Sequence, residues 1–269
     1  MTLPDCNELI LAVDAEVLTI TLNRPAKRNA MNGALVDELV EVFKAIELDQ
    51  TIRAVVLRGA EGNFCAGGDI SGMNKDGAKG EEAEKITWEF NRSFGAMITR
   101  VNHAPHVVIA MLEGAVLGGG FGLACISDIS IAHKDALFAL PETGLGLIPA
   151  QIAPFVVSRI GITQARRLAL TGERIDGAEA QALGIAHYVA DDKAAMEERL
   201  ASVLKKVKRC APGANAMTKK LILQVGVVEH EELLDGAASM FTDCLTTQEG
   251  QEGTKAFLEK RKPYWADKG

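Results

Sequence analysis

The chain has 269 residues, with 29 Lys and Arg against 36 Asp and Glu, for a net charge of −7. Its apolar share of 48% and charged share of 24% are those of a folded globular protein, which excludes wholesale disorder and a fibrous repeat. The acid excess argues against a general binder of phosphate backbones, so no nucleic-acid partner is expected.

No apolar run reaches the ~18 residues that a membrane span needs, so no membrane association is expected either. Cys6, Cys65, Cys125, Cys210 and Cys244 are odd in number and widely spread, with no CxxC pair. That pattern predicts no metal site and fits a reducing cytoplasm. The stretch 1–11 carries Asp5 and Glu8 without a basic cluster and does not read as a signal or transit peptide.

In chain order, the aliphatic and β-branched runs 9–13 and 17–22 flank Asp14-Ala15-Glu16 and predict a hairpin. A helix follows, with Asn32 as N-cap and Leu35, Val36, Leu39, Val40, Phe43 and Ile46 at helical spacing. Residues 54–57 predict a buried strand running into a glycine-rich loop over 59–72. The polar stretch 75–84 predicts a loop, and 86–101 a second helix. Further strands are expected at 106–112 and 128–132, with a short apolar helix between them.

This alternation of strands and helices predicts an α/β fold with a largely parallel sheet. Beyond residue 151 the strand signals fade. A helix is expected over 163–170 with Gly172 as its stop, and Asp176 with Glu179 forms a capping-box pattern opening another. The expected division is an α/β core over 1–190 and an α-helical region over 191–269.

Two glycine-rich turns follow separate strands: Asn63-Phe64-Cys65-Ala66-Gly67-Gly68-Asp69-Ile70 and Leu117-Gly118-Gly119-Gly120-Phe121-Gly122. Glycine lets a backbone N–H approach another group closely, and the second turn opens a helix whose first N–H groups favour negative charge. Two such turns facing each other would make a two-donor oxyanion hole. Taken singly, each also reads as an ordinary tight turn. Neither is a GxGxxG dinucleotide fingerprint or a GxxxxGK[ST] phosphate loop.

Together with Asn23-Arg24-Pro25-Ala26-Lys27-Arg28-Asn29-Ala30-Met31-Asn32, with Pro141-Glu142, and with Ala256-Phe257-Leu258-Glu259-Lys260-Arg261-Lys262-Pro263, these turns resemble the enoyl-CoA hydratase/isomerase (crotonase) superfamily. The order and spacing agree across almost the whole chain. The resemblance implies a spiral of ββα units, an α-helical C-terminal trimerisation region, and a homotrimer or homohexamer.

It also implies an acyl-CoA substrate, with coenzyme A as part of the substrate and no separate cofactor. The N–H groups of Gly68 and Gly119 would hold the thioester oxygen. Lys27, Arg28 and Ala30 would meet the nucleotide and pantetheine, and Ala66, Asp69 and Ile70 would lie along the adenine-side loop. Phe257 and Lys260 would reach coenzyme A from a neighbouring subunit. The basic run 260–262 suits a phosphate electrostatically, although a solvated helix end is its ordinary meaning.

Enolate chemistry needs an acid/base beside the acyl α- and β-carbons, and Glu142 is the candidate. It is the sole charge in the apolar stretch 136–148, so burial would raise its pKa toward a useful range. Hydratases of the best-known type in this superfamily carry a second glutamate where this chain has Gly122. A single glutamate suits Δ3-Δ2-enoyl-CoA isomerisation, which needs only a proton shuttle. It also permits hydration if another polar group positions the water.

The segment Pro149-Ala150-Gln151-Ile152-Ala153-Pro154 is similar to the branch acting on branched, carboxylated enoyl-CoAs, the isohexenylglutaconyl-CoA and methylglutaconyl-CoA hydratases. The expected activity is therefore reversible hydration of a 2-enoyl-CoA. The alternatives are isomerisation and, from another class, a non-catalytic scaffold that binds acyl-CoA or RNA. Gln151 reads either as an acyl-pocket residue or as a helix start. Met73 and Trp88 read as acyl-pocket or core residues, His103 and His106 as structural, and Cys65 as a small packing residue.

Overall fold

A computed structural model describes residues 2–69 and 80–266. The expectations for Ile70 and Met73, and the first half of the loop expected over 75–84, lie outside the described residues. The hairpin is present as β1 (Leu9–Asp14) and β2 (Val17–Leu22), paired antiparallel. Helix α1 (Gly33–Ile46) starts where Asn32 Oδ1 accepts from the Leu35 N–H at 2.9 Å, a cap worth ~1 kcal/mol.

The buried stripe of α1 runs through Leu35, Leu39, Val42 and Ile46, and the expected Val40 is half-buried at its edge. Strand β3 (Ala54–Gly59) then lies parallel to β2. Helix α2 (Glu81–Asn102) begins earlier than expected. Glu81, Glu82 and Glu84 look like loop composition in sequence, yet they occupy the first turn, where the helix dipole favours acids.

After α2 come β4 (Val107–Leu112), the short β5 (Ala115–Leu117), α3 (Gly119–Ile126), β6 (Ile129–His133) and β7 (Leu137–Ala139). Helix α4 (Ala153–Thr171) is longer than the sequence reading of 163–170, which is its second half. Gly161, at φ 73° and ψ 159°, breaks it in the middle, a backbone state open to glycine. Then follow α5 (Gly177–Ala182), capped by Asp176 onto Glu179 N at 2.9 Å, and β8 (Tyr188–Ala190), a three-residue strand with too few residues to announce itself in sequence.

The main sheet has the order β1-β2-β3-β4-β6-β8, parallel throughout except for the hairpin. β5 and β7 form a separate parallel pair. Alternation along the strands sends Val55, Leu57, Val108, Ala110 and Leu112 to one apolar cluster with α1, α2 and α3. Ala54, Val56, Ile109, Met111 and Ile131 face the other cluster, which is closed by Met196, Leu200 and Val203 of α6 (Lys193–Lys208). Each such fully buried large aliphatic side chain contributes ~1.5–3 kcal/mol, which is why strands buried on both faces read as unbroken apolar runs.

Helices α7 (Pro212–Ile222), α8 (His230–Thr246) and α9 (Gln248–Leu258) complete the chain. Phe241 and Phe257 are 70% and 82% exposed there. Among the described residues no helix is long and apolar enough to cross a membrane.

Candidate active site

Because β2, β3 and β4 run in parallel, the turns that follow them emerge at the same end of the sheet. The turn after β2 contains a buried Asn29 in the left-handed region (φ 58°). Its Nδ2 donates to Ala60 O (2.9 Å) and Asn63 O (2.6 Å), and its Oδ1 accepts from Arg24 N (2.9 Å). Asn29 thereby bolts the turn after β2 to the turn after β3.

Arg24 adds ion pairs to Glu8 (3.1 Å) and Asp69 (2.9 Å) across the same seam. Lys27 and Arg28 are left exposed beside Ala30, and Ala66 N donates to Arg28 O at 3.0 Å. Lys27, Arg28, Ala30, Ala66 and Asp69 therefore form one patch. Phe257 and Lys260 are exposed at and just beyond the C-terminal end of α9, and neither lines the cavity described below.

The first glycine turn is pinned on both sides. Cys65 pairs with Val116, through Cys65 N to Ala115 O (2.8 Å) and Leu117 N to Cys65 O (2.9 Å). Gly68 pairs with Met31, through Met31 N to Gly67 O and Asp69 N to Met31 O, both 2.8 Å. In a parallel pairing of this kind the central N–H points away from the partner, so the Gly68 N–H is left over.

Gly119 is the first residue of α3, and its N–H is one of the four that no helix can satisfy internally. Among the described residues neither N–H has a protein acceptor. The two turns abut: a Cβ on Gly118 would stand 3.6 Å from Gly67 Cα. Gly118 itself sits at φ 49° and ψ −114°, which a side chain would strain.

Pro141 leads into a single 3-10 turn, Glu142–Leu145, closed when Leu147 N donates to Glu142 O at 3.0 Å. The fixed turn aims the Glu142 carboxylate at the second glycine turn, so that a Cβ on Gly118 would lie 2.8 Å from Glu142 Oε1. Its Oε2 is buried without a hydrogen-bond partner among the described residues. Desolvation pushes the Glu142 pKa above the ordinary carboxylate range. A carboxylate with one bare oxygen and a raised pKa is suited to taking and returning a proton.

These groups edge one cavity of about 330 Å3, lined by Gly68, Gly119 and Glu142 and walled by Met31, Phe90, Phe94, Ile148 and Ile152. Gln151 also lines it and donates to Asn91 Oδ1 at 2.7 Å, whereas the α4 N-terminus makes no side-chain cap, so the helix-start reading of Gln151 is not what the structure holds. Trp88 is 66% exposed and outside the lining and the core, a correction to the sequence expectation, since it sits on the solvent side of α2.

Asn91, Phe94 and Met31 were not singled out in sequence. Asn91 and Phe94 lie one turn apart on α2, inside the helix expected over 86–101, and only the packing of that helix shows that they line the cavity. Position 122 is closed to any side chain: a Cβ on Gly122 would stand 2.4 Å from Ile152 Cγ2 and 3.0 Å from Ile98 Cδ1.

The histidines stay outside the cavity. His106 is buried with Nε2 3.0 Å from Asp49 O, and His103 Nδ1 lies 2.8 Å from Thr99 O. Cys65 is buried with its thiol pKa pushed up to about 12, inert packing rather than a nucleophile. Arg261, in the basic run near the C-terminus, is taken by Glu252 and Glu259. No cluster of three or more His, Cys, Asp or Glu fit to hold a metal ion occurs among the described residues.

The sequence matches the family described as Enoyl-CoA hydratase/isomerase over residues 12–268. A solved structure described as Pseudomonas aeruginosa AtuE is 54% identical, covers 97% of this chain and 100% of that one, and superposes with a TM-score of 0.93. An enoyl-CoA hydratase/isomerase from Marinobacter aquaeolei is 53% identical with the same coverage and TM-score. A probable enoyl-CoA hydratase of Bacillus subtilis is 33% identical over 258 residues, 96% of this chain and 98% of that protein. With abutting glycine turns, a glutamate on the same cavity and kinship along nearly its whole length, the chain belongs to the enoyl-CoA hydratase/isomerase family.

Proposed function

We propose that the protein is an enoyl-CoA hydratase that adds water reversibly to a 2-enoyl-CoA. The observation that carries this reading is the Glu142 carboxylate, desolvated and without a partner on Oε2, facing a cavity edged by Gly68 and Gly119, whose N–H groups have no acceptor among the described residues. Thioester oxygen held by both N–H groups would accept enolate charge, and preorganised donors of this kind are worth ~10²–10³ in rate each. Glu142 acts as the acid/base. The apolar wall of Met31, Phe90, Phe94, Ile148 and Ile152 takes the acyl chain.

The exposed cations Lys27 and Arg28, with Ala30, Ala66, Asp69 and Ile70, bind the coenzyme A portion. Phe257 and Lys260 complete that site from a neighbouring copy. The exposed Phe241 and Phe257 support a homotrimer or homohexamer, with the assembly surface in residues 191–269 and the site in 1–190. Its place of action is the cytoplasm. The reading extends to branched, carboxylated enoyl thioesters.

Closure of position 122 by Ile152 and Ile98 favours a second reading, Δ3-Δ2-enoyl-CoA isomerisation by one glutamate. The two separate cleanly in labelled water. Paired 2-enoyl and 3-enoyl thioesters, including carboxylated branched ones, are incubated in H2(18)O and their products weighed by mass spectrometry. Gain of one labelled oxygen is the expected result. Double-bond migration without oxygen gain would make the enzyme an isomerase, and turnover of neither with tight acyl-CoA binding would make it a scaffold.

A further inference from the structure

Of the described side chains lining the cavity, three are polar: Glu142, Asn91 and Gln151. The last two meet because of a glycine. Asn91, Gly95 and Ile98 stand at i, i+4 and i+7 on α2 and share one face. A Cβ on Gly95 would lie 1.9 Å from Gln151 Oε1 and 2.8 Å from its Cδ, so its absence lets the Gln151 side chain lie flat on α2. There Nε2 donates to Asn91 Oδ1 at 2.7 Å.

One turn further along the same face, Ile98 meets Ile152 over Gly122. Neighbouring residues therefore divide two tasks. Ile152 shuts the position beside Gly122, and Gln151 brings an amide into the cavity one helical turn away. The mutual bond uses one Nε2 hydrogen of Gln151 and one lone pair of Asn91. It leaves the other Nε2 hydrogen, the Asn91 Nδ2 hydrogens and the second lone pair of Asn91 Oδ1, a mixed donor and acceptor set. A water in an apolar cavity needs two to four such partners.

We propose that the Asn91–Gln151 pair positions the attacking water for Glu142. The inference rests on the hydratase reading. Neither amide accepts a proton, so Glu142 carries all the proton traffic. The water oxygen bonds to C3 as Glu142 removes one of its protons. The electron pair of the C2=C3 bond moves onto the thioester oxygen as an enolate, held at the Gly68 and Gly119 N–H groups. Glu142 then returns that proton to C2, the thioester carbonyl reforms, and the product is the 3-hydroxyacyl-CoA with the carboxylate regenerated. Proton removal from C2 of a saturated acyl-CoA uses the same glutamate and the same N–H groups but no positioned water.

The test compares those two reactions in Gln151→Leu and Asn91→Ala. Hydration of a 2-enoyl-CoA is followed by absorbance, and exchange of the C2 proton of butyryl-CoA in deuterium oxide by mass spectrometry. Loss of water positioning is expected to lower the hydration kcat on the order of tenfold to a hundredfold. KM and the C2 exchange rate stay within about twofold of the parent, as misplacing only the water requires. Because the two residues act as a unit, the double variant is expected to be no slower than the slower single one.

Equal losses in hydration and exchange would show that the pair merely staples α2 to the loop before α4 and would overturn the proposal. Unchanged hydration in either soluble variant would overturn it as well. If one variant does not fold, the other decides. A parent enzyme that exchanges C2 protons yet never hydrates would refute the hydratase reading itself, a result distinct from the other two.

Discussion

Gly119 and Gly122 stand one turn apart on α3 and meet opposite surroundings. Gly119 lines the cavity, its N–H has no acceptor among the described residues, and its neighbours are side-chain tips: a Cβ there would stand 2.7 Å from Met31 Cε and 2.9 Å from Phe94 Cζ. Gly122 faces a branch point instead, where an added Cβ would stand 2.4 Å from Ile152 Cγ2 and 3.0 Å from Ile152 Cβ, and its N–H is spent on Gly118 O at 3.0 Å. One glycine keeps a donor open to a ligand, whereas the other makes room for two isoleucines. The helix thus offers charge stabilisation at its first turn and closes off any carboxylate at its second. Glu142, the group we propose for proton transfer, lines the same cavity.

The hardest way to break this arrangement is to remove that carboxylate. Glu142→Gln should lower turnover by ~10²–10⁴, the usual worth of a positioned general acid/base, while leaving the acyl-CoA dissociation constant unchanged. Stopped-flow turnover and calorimetric binding measure the two separately. Equal activity in the variant would remove Glu142 from the chemistry.

Next in size is Gly118→Ala. The new methyl would demand a backbone conformation at φ 49° and ψ −114° that L-residues avoid, and it would stand 2.8 Å from Glu142 Oε1. Both the glutamate and the adjoining Gly119 N–H would move, so a loss of ~10²–10³ in kcat is expected, comparable to deleting an oxyanion donor. A crystal structure of the variant should show the carboxylate displaced.

On the closed side the expected effect is on stability. Gly122→Ala overpacks the contact with Ile152 and should cost ~1–3 kcal/mol in denaturant unfolding. Ile152→Ala removes the Cγ2 atom that stands in the way, so the same glycine substitution should cost less in that background. A double-mutant cycle measures the difference, and additivity would mean that the two residues do not compete for space.

These contrasts show how unevenly the molecule was written into its sequence. The hairpin, α1 with its Asn32 cap and the parallel strands were legible, because apolar periodicity and capping chemistry are local signals. The start of α2 was not, since acids at a helix N-terminus share their composition with a loop. Gly161 in α4 and the three residues of β8 were equally silent, one an isolated backbone reversal and the other too short to show a period. Glu142 was legible as the one charge in an apolar stretch, and the structure gives its carboxylate the desolvated setting that this implied. Asn91 with Gln151, and Gly122 with Ile152, were illegible. Each pair joins distant segments, and its meeting depends on a missing Cβ that has no meaning until the helices are packed.

The smallest expected effect sharpens the contrast between the open and closed sides through pH. Desolvation raises the Glu142 pKa in the folded chain above its ordinary value of 4.5, a hydrogen bond from its own backbone N–H offsets only part of this, and no donor among the described residues reaches Oε2. Between the unfolded and folded values the native chain binds more protons than the unfolded chain, so this group makes stability rise as pH falls through that window. At neutral pH the ionised side chain is a net cost to folding, which Glu142→Gln removes. The variant should therefore melt slightly above the parent at pH 7, with the gap closing as pH drops through the folded value and vanishing below the ordinary carboxylate range. Gly122→Ala should show no such pH dependence, because its cost is steric. Thermal melts of both variants across pH test this directly. A Glu142→Gln variant that melts below the parent at pH 7 would mean that the ionised carboxylate has a stabilising partner, and the unpartnered base on which the proton transfer depends would be lost.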